Sequence, residues 1–148
     1  MKTNLFRIIM VSVLSMSAMF SYGQCEGKIR DFYLAYMRNV ETDPEANAEL
    51  MGCHMSPELI AKLADYTAQY DADAVIHAQD VSKYGMESLI VVPIEGTDDG
   101  YLVKYKWDPE SGYAFIPVRA ILAEGKLKFL DIFPQGTDVE GKSYMKRK

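Results

Sequence analysis

Five side chains able to bind or transfer something crowd together between Asp71 and Asp80: Asp71, Asp73, His77, Gln79 and Asp80, with Tyr66 and Tyr70 leading into them. Clustered carboxylate oxygens are the ligands that hard divalent cations take, so metal binding is the first chemistry to weigh. The spacing argues against it. A helix-loop-helix calcium loop needs Asp or Asn at its fifth position and Gly at its sixth, and counting from Asp71 those positions hold Val75 and Ile76. The better-supported reading is structural. Asp71 and Asp73 are expected to end one helix and cap the following turn, and Gln79 and Asp80 to bond loop amides before the next element. Tyr70, Asp71, Asp73, His77, Gln79 and Asp80 are nonetheless the densest set of candidate ligand-binding residues in the chain.

A second set is aromatic. Tyr101, Tyr105, Trp107, Tyr113 and Phe115 recur at alternate positions on either side of a turn, and aromatic strand faces are usually core. Ten tyrosines are more than a small core can satisfy, because each buried hydroxyl needs a hydrogen-bond partner. Some are therefore expected at the surface, where Tyr105 and Trp107 would line a recognition groove. The two cysteines, Cys25 and Cys53, make an even count, which in an oxidising compartment is read first as a disulfide. Zinc held by Cys53 and His54 would need two further ligands at suitable spacing, and only scattered carboxylates and His77 are on offer. A lipid anchor on Cys25 is disfavoured because Gln24, not a small residue, precedes it. The chain has no glycine-rich phosphate loop, Cys-x-x-Cys pair, Gly-x-Ser-x-Gly elbow or His-Glu-x-x-His helix. No pattern calls for a cofactor or a resident metal, and a non-catalytic role is expected.

The elements that must position these residues divide the chain in two. Ile29, Phe32, Tyr33, Tyr36, Met37 and Val40 follow the spacing of one apolar helix face. Asp43-Pro44 is a cap followed by proline at the first helical position, so a second helix is expected to about Met51, stopped by Gly52. Ser56-Pro57 repeats the signal, and Leu59, Ile60, Leu63, Tyr66, Thr67 and Tyr70 supply the buried stripe of a third helix. From Ser88 onward the period becomes two. An edge strand is expected over Ser88–Glu95 because Pro93 cannot donate to a ladder. A strand with Tyr101, Val103, Tyr105 and Trp107 on one face follows, then a long strand over Tyr113–Ala123 broken or bent at Pro117, and a last strand over Lys126–Phe133. Helices first and an antiparallel meander afterwards make an α+β domain, with N-terminal helices packed on one face of a curved, four-stranded or slightly larger sheet.

The chain opens with a positive region at Lys2 and Arg7, an apolar run from Ile8 to Phe20, and Ser21-Tyr22-Gly23, which puts small residues where a signal peptidase reads. The run is shorter than the roughly 18 to 20 residues that cross a bilayer, and no second apolar stretch follows. The expectation is an export signal over residues 1–23, cleavage after Gly23, and one domain over 24–148, its core at about 28–134 and a flexible basic tail at 135–148. With 21 acids against the 14 bases that remain once Lys2 and Arg7 are removed, the processed chain carries a net charge of −7. Nucleic acid and anionic membrane are poor partners for it.

The helical half, the curved sheet and the closing run Gly125-Lys126-Leu127-Lys128-Phe129-Leu130-Asp131-Ile132 resemble the nuclear transport factor 2-like cone fold. The segment from Tyr70 to Asp80 is similar to the central signature of exported bacterial proteins, mostly Gram-negative, grouped as a domain of unknown function. The resemblance covers about residues 28 to 134, and departs from its pattern at Phe129, where such domains usually carry Trp. It implies a periplasmic or secreted protein, and homodimer pairing through the open sheet face. It also implies a cone-shaped pocket, at whose closed end enzymes of this class place an acid or base whose pKa burial moves towards neutrality. Asp131 is the candidate, because it alternates with Leu127 and Phe129 on one strand. The expected role is a binding module for a small ligand or a protein partner in the cell envelope. The rival readings are an immunity or inhibitor protein with a basic target, and a small isomerase or hydrolase.

Overall fold

The computed structural model describes residues 23–137. The expected export signal apart from Gly23, and the tail beyond Thr137, lie outside the described residues. Helix α1 occupies 23–39, followed by α2 (Pro44–His54), α3 (Pro57–Tyr70) and the short α4 (Lys83–Glu87). The strands β1 (Ile90–Pro93), β2 (Gly100–Lys106), β3 (Tyr113–Ala123) and β4 (Lys126–Ile132) form one antiparallel sheet in the order β1-β2-β3-β4, with β1 and β4 as open edges. The architecture is α+β, helices on an unclosed four-stranded sheet.

Helix α1 buries Cys25, Ile29, Phe32, Tyr33, Tyr36 and Met37, a stripe at the helical repeat. It lies against the sheet through Phe32, whose ring centroid is 4.7 Å from that of Phe129. The caps fall where the sequence places them. Asp43 accepts a hydrogen bond from the Ala46 amide at 3.0 Å, and Ser56 accepts one from Leu59 at 3.2 Å. Gly52, however, sits inside α2 rather than ending it, exposed and with nothing within 4 Å of where a Cβ would stand. The helix stops three residues before Pro57, because proline disfavours helical backbone at the residue ahead of it. Ser56 is accordingly extended, at φ −74° and ψ 156°. Asn47 joins the first two helices by donating to the Tyr36 carbonyl at 3.0 Å.

Two departures in the sheet shape everything near its last strand. Pro117 does not break β3; it is fully buried and pairs with Leu102. Its carbonyl accepts from the Phe133 amide at 3.0 Å, but it has no N–H to return to the Phe133 carbonyl. That carbonyl accepts instead from His77 Nε2 at 2.8 Å, so a side chain from the preceding loop supplies the donor that proline lacks. The irregularity in β3 lies two residues on, where the register with β4 shifts between Arg119 and Ala120. Arg119 pairs with Asp131 and Ala120 with Phe129, which leaves Leu130 opposite no residue. The extra residue resets the alternation: Leu127, Phe129 and Ile132 are buried, whereas Leu130 is 44% exposed. Asp131 therefore does not share a face with Leu127 and Phe129 as simple alternation requires.

Candidate functional site

The segment Tyr70–Asp80 closes on itself. Asp71 ends α3 in the left-handed conformation, at φ 51° and ψ 38°, and its carbonyl accepts from Gln79 Nε2 at 3.1 Å. Asp73 bridges to Ala78 through the backbone. Its carboxylate accepts from the Val75 amide and from the Tyr36 hydroxyl, each at 2.8 Å. His77, at φ 55°, reaches across to Phe133. Burial pushes its pKa below the ordinary value, against the opposing pull of the Phe133 and Phe115 backbone and of Asp73. Ala74, Val75 and Ile76 plug the core. Tyr70 and Asp80 stand exposed at the two ends. Among the described residues no three His, Cys, Asp or Glu side chains gather in a way that could hold a metal ion.

The carboxylate of Asp73 lies amid buried phenols. Burial first, and then its charge, raise the pKa of Tyr33 and Tyr36 well above the usual range, and that of Tyr105 to about 12. Tyr105 donates to the Ile76 carbonyl at 2.7 Å. The aromatic set thus splits, Tyr113 and Phe115 by strand parity and Trp107 by lying past the end of β2. Tyr101 and Tyr105 face the core, while Trp107, Tyr113 and Phe115 are 40–44% exposed. Trp107 lies beyond the end of β2 and does not share a groove with Tyr105. Asp131 forms an ion pair with Lys62 of α3 at 2.7 Å, half-buried at the β4 edge rather than deep in a pocket.

The expected Cys25–Cys53 bridge is not formed; both cysteines are free. Helix geometry separates them. Cys25 lies on the buried stripe of α1, where burial raises its thiol pKa despite a hydrogen bond with Tyr101. Cys53 lies on the outward side of α2, exposed to solvent.

Cys53 borders a groove of about 590 Å³ that sequence reasoning did not find. One wall is the α1 face Lys28, Asp31, Phe32 and Ala35; the other is Leu50, Cys53 and His54 of α2; the floor is the hairpin segment Gly125–Lys128. Both helices contribute at the i, i+3, i+4 spacing of a single face. The hairpin turn has Glu124 at φ 52° and Gly125 at φ 75°, two left-handed residues in succession as a two-residue turn between antiparallel strands requires. His54 Nδ1 lies 2.9 Å from the Leu127 carbonyl; since a carbonyl only accepts, Nδ1 carries the proton, and the bond pins α2 to β4. Lys128 Nζ donates to the Cys53 carbonyl at 2.9 Å, a second tie across the same seam. Lys28 and Lys126 form no ion pair or hydrogen bond among the described residues. The groove is therefore mostly apolar, with the half-buried Ala35 and Leu50 offering surface above the buried Phe32 and Leu127, and it is bordered by Lys28, Lys126, Lys128 and Asp31. Its size falls in the range of small-molecule sites. The one sequence signal for it was Gly125-Lys126-Leu127-Lys128, whose alternate lysines leave Leu127 to the core; Lys28 and Cys53 carried none.

Comparison with solved structures finds a crystal structure of a protein of unknown function from Bacteroides thetaiotaomicron VPI-5482. It is 26% identical, covers 84% of this chain and 99% of its own, and superposes with a TM-score of 0.70. No family model matches, and no curated protein matches. No helix among the described residues is long and apolar enough to cross a membrane.

Proposed function

We propose that the protein is an exported, non-catalytic binding module of the bacterial cell envelope, and that it holds a small ligand in the groove between α1, α2 and the β3–β4 hairpin. The observation that carries the reading is the groove itself: an apolar trough of about 590 Å³ bordered by ammonium groups, two of them without a partner among the described residues. Export is supported by the Lys2, Arg7 and Ile8–Phe20 pattern. The absence of enzymatic chemistry in this reading is supported by how the titratable groups are employed. Asp73, His77 and Asp131 each hold a fold contact, and none faces the groove. The reading draws on this helix–hairpin seam and does not need the closed cone of nuclear transport factor 2-like domains.

The test uses an anionic dye that fluoresces in apolar surroundings, anilinonaphthalene sulfonate. It is expected to bind the folded protein saturably at one site, and binding is expected to vanish after N-ethylmaleimide modifies Cys53, with the circular dichroism spectrum unchanged. Saturable binding that survives modification, or no binding to the unmodified protein, overturns the assignment of the groove.

A further inference from the structure

The chemistry of the groove narrows the ligand. The chain as a whole is acidic, with 21 acids against 16 bases, yet the groove gathers Lys28, Lys126 and Lys128 against the single carboxylate Asp31. These three lysines come from two regions nearly a hundred residues apart, joined only by the packing of α1 beside the hairpin. Lys128 is engaged by the Cys53 carbonyl; Lys28 and Lys126 are left facing solvent at the rim. Beneath them Phe32 and Leu127 are buried and Leu50 is partly so. An apolar site with a few charged groups at its mouth fixes the orientation of a ligand that is apolar at one end and charged at the other. A cationic head would meet three like charges, whereas a neutral one would leave the ammonium groups without recompense for any water they lose.

Resting on the groove reading above, we infer that the ligand is a small, free anionic amphiphile: an apolar body seated on the half-buried Ala35 and Leu50, with one acidic head group held at the rim by Lys28 and Lys126. A medium-chain carboxylate has this chemistry. The monomeric molecule is the intended occupant rather than a lipid in a bilayer, because the trough lies between two helices and a hairpin and the surrounding protein is acidic, which disfavours approach to an anionic membrane.

Cys53 supplies the readout, since it is exposed at the groove while Cys25 is buried and serves as an internal control. In the full protein, decanoate below its micelle concentration is expected to slow iodoacetamide alkylation of Cys53 about fivefold or more and to leave Cys25 unreactive. Decanol and decyltrimethylammonium at equal concentration are expected to give little protection. The double variant Lys28→Glu/Lys126→Glu is expected to weaken decanoate protection about tenfold, the sum of two exposed charge pairs, while the anionic dye also weakens. If decanol protects as well as decanoate, the acidic head is wrong although the groove stands. If none of the three protects but the dye still binds at Cys53, the amphiphile class is wrong. If neither dye nor amphiphile touches Cys53 reactivity, the groove reading itself fails. Protection by phosphatidylglycerol vesicles without protection by free decanoate overturns the choice of a free ligand.

Discussion

The segment from Tyr70 to Asp80 and the groove between α1, α2 and the hairpin contain similar numbers of polar side chains, and they differ in where those side chains are used. In the segment, Asp73 holds Tyr36 and Val75, His77 fills the gap left by Pro117, and Gln79 closes the loop onto Asp71. In the groove, Lys28 and Lys126 hold nothing among the described residues. A dense cluster of chemically able residues in a sequence can be engaged at its centre in holding a fold together, as Asp73, His77 and Gln79 are, whereas a thin scatter of lysines can converge on an unfilled site. Whether a group can serve a ligand depends on whether the fold already occupies it.

That contrast can be broken first at Asp73. Replacing it by Ala leaves the Tyr36 hydroxyl without its acceptor in a buried site and removes the turn bond to Val75, so a loss of about 1–3 kcal/mol in urea unfolding is expected. Tyr36→Phe should recover part of that loss in the double variant, since both partners are then gone. Tyr33 offers the control: its buried hydroxyl has no partner among the described residues, so Tyr33→Phe should leave stability unchanged or raised. A destabilising Tyr33→Phe, or a silent Asp73→Ala, would remove the distinction between engaged and idle groups within this cluster.

The next effect is smaller and depends on pH. Burial lowers the pKa of His77 in the folded state below its ordinary value of 6.5, so the unfolded chain takes up the proton first as pH falls. Its contribution to stability is complete above that ordinary value and is lost as pH descends through it towards the folded pKa. Urea midpoints measured from about pH 7 to about pH 5 should fall, and His77→Gln, which keeps a donor for the Phe133 carbonyl without titrating, should flatten that slope. An unchanged slope in the variant would mean that His77 is not the group responsible.

Smallest of all is the expected change in stability on the groove side. Lys28→Ala and Lys126→Ala remove side chains that touch no partner among the described residues, and each should alter unfolding free energy by less than about 0.5 kcal/mol. A loss well beyond that in either variant would place the lysine among the fold's own contacts and erase the difference between the two regions.

Much of the fold was legible because its signals are local. The Asp43-Pro44 and Ser56-Pro57 caps, the aromatic stripe of α1 and the alternation along β2 are short-range consequences of backbone geometry and side-chain period, and all appear in the structure. Helix α4 was missed because Lys83–Glu87 is too short to show a period, its start marked only by Ser82, which accepts from the Gly85 amide at 2.9 Å. The reading of Asp131 failed for a different reason. One bulged residue, Leu130, inverts the parity that strand reasoning depends on, and a bulge is set by how β3 and β4 meet rather than by either strand alone. The same limit applied to the cysteines: an even count says nothing of which helix face each thiol occupies.

The sequence by itself therefore determined the order of the first three helices and the four strands, the N-terminal caps of α2 and α3, the core stripe and the acidic balance, since each follows from interactions within a few residues or from composition alone. Tertiary structure decided which polar groups remained available. His77 could be matched to Pro117, Asp73 to Tyr36, and Lys28 to Lys126 only by contacts between segments distant in the chain, and no local period encodes a meeting of that kind. The groove exists because the packing of α1 and α2 against β4 leaves space beside the hairpin, and the volume left between packed elements is a property of their arrangement, not of any one of them.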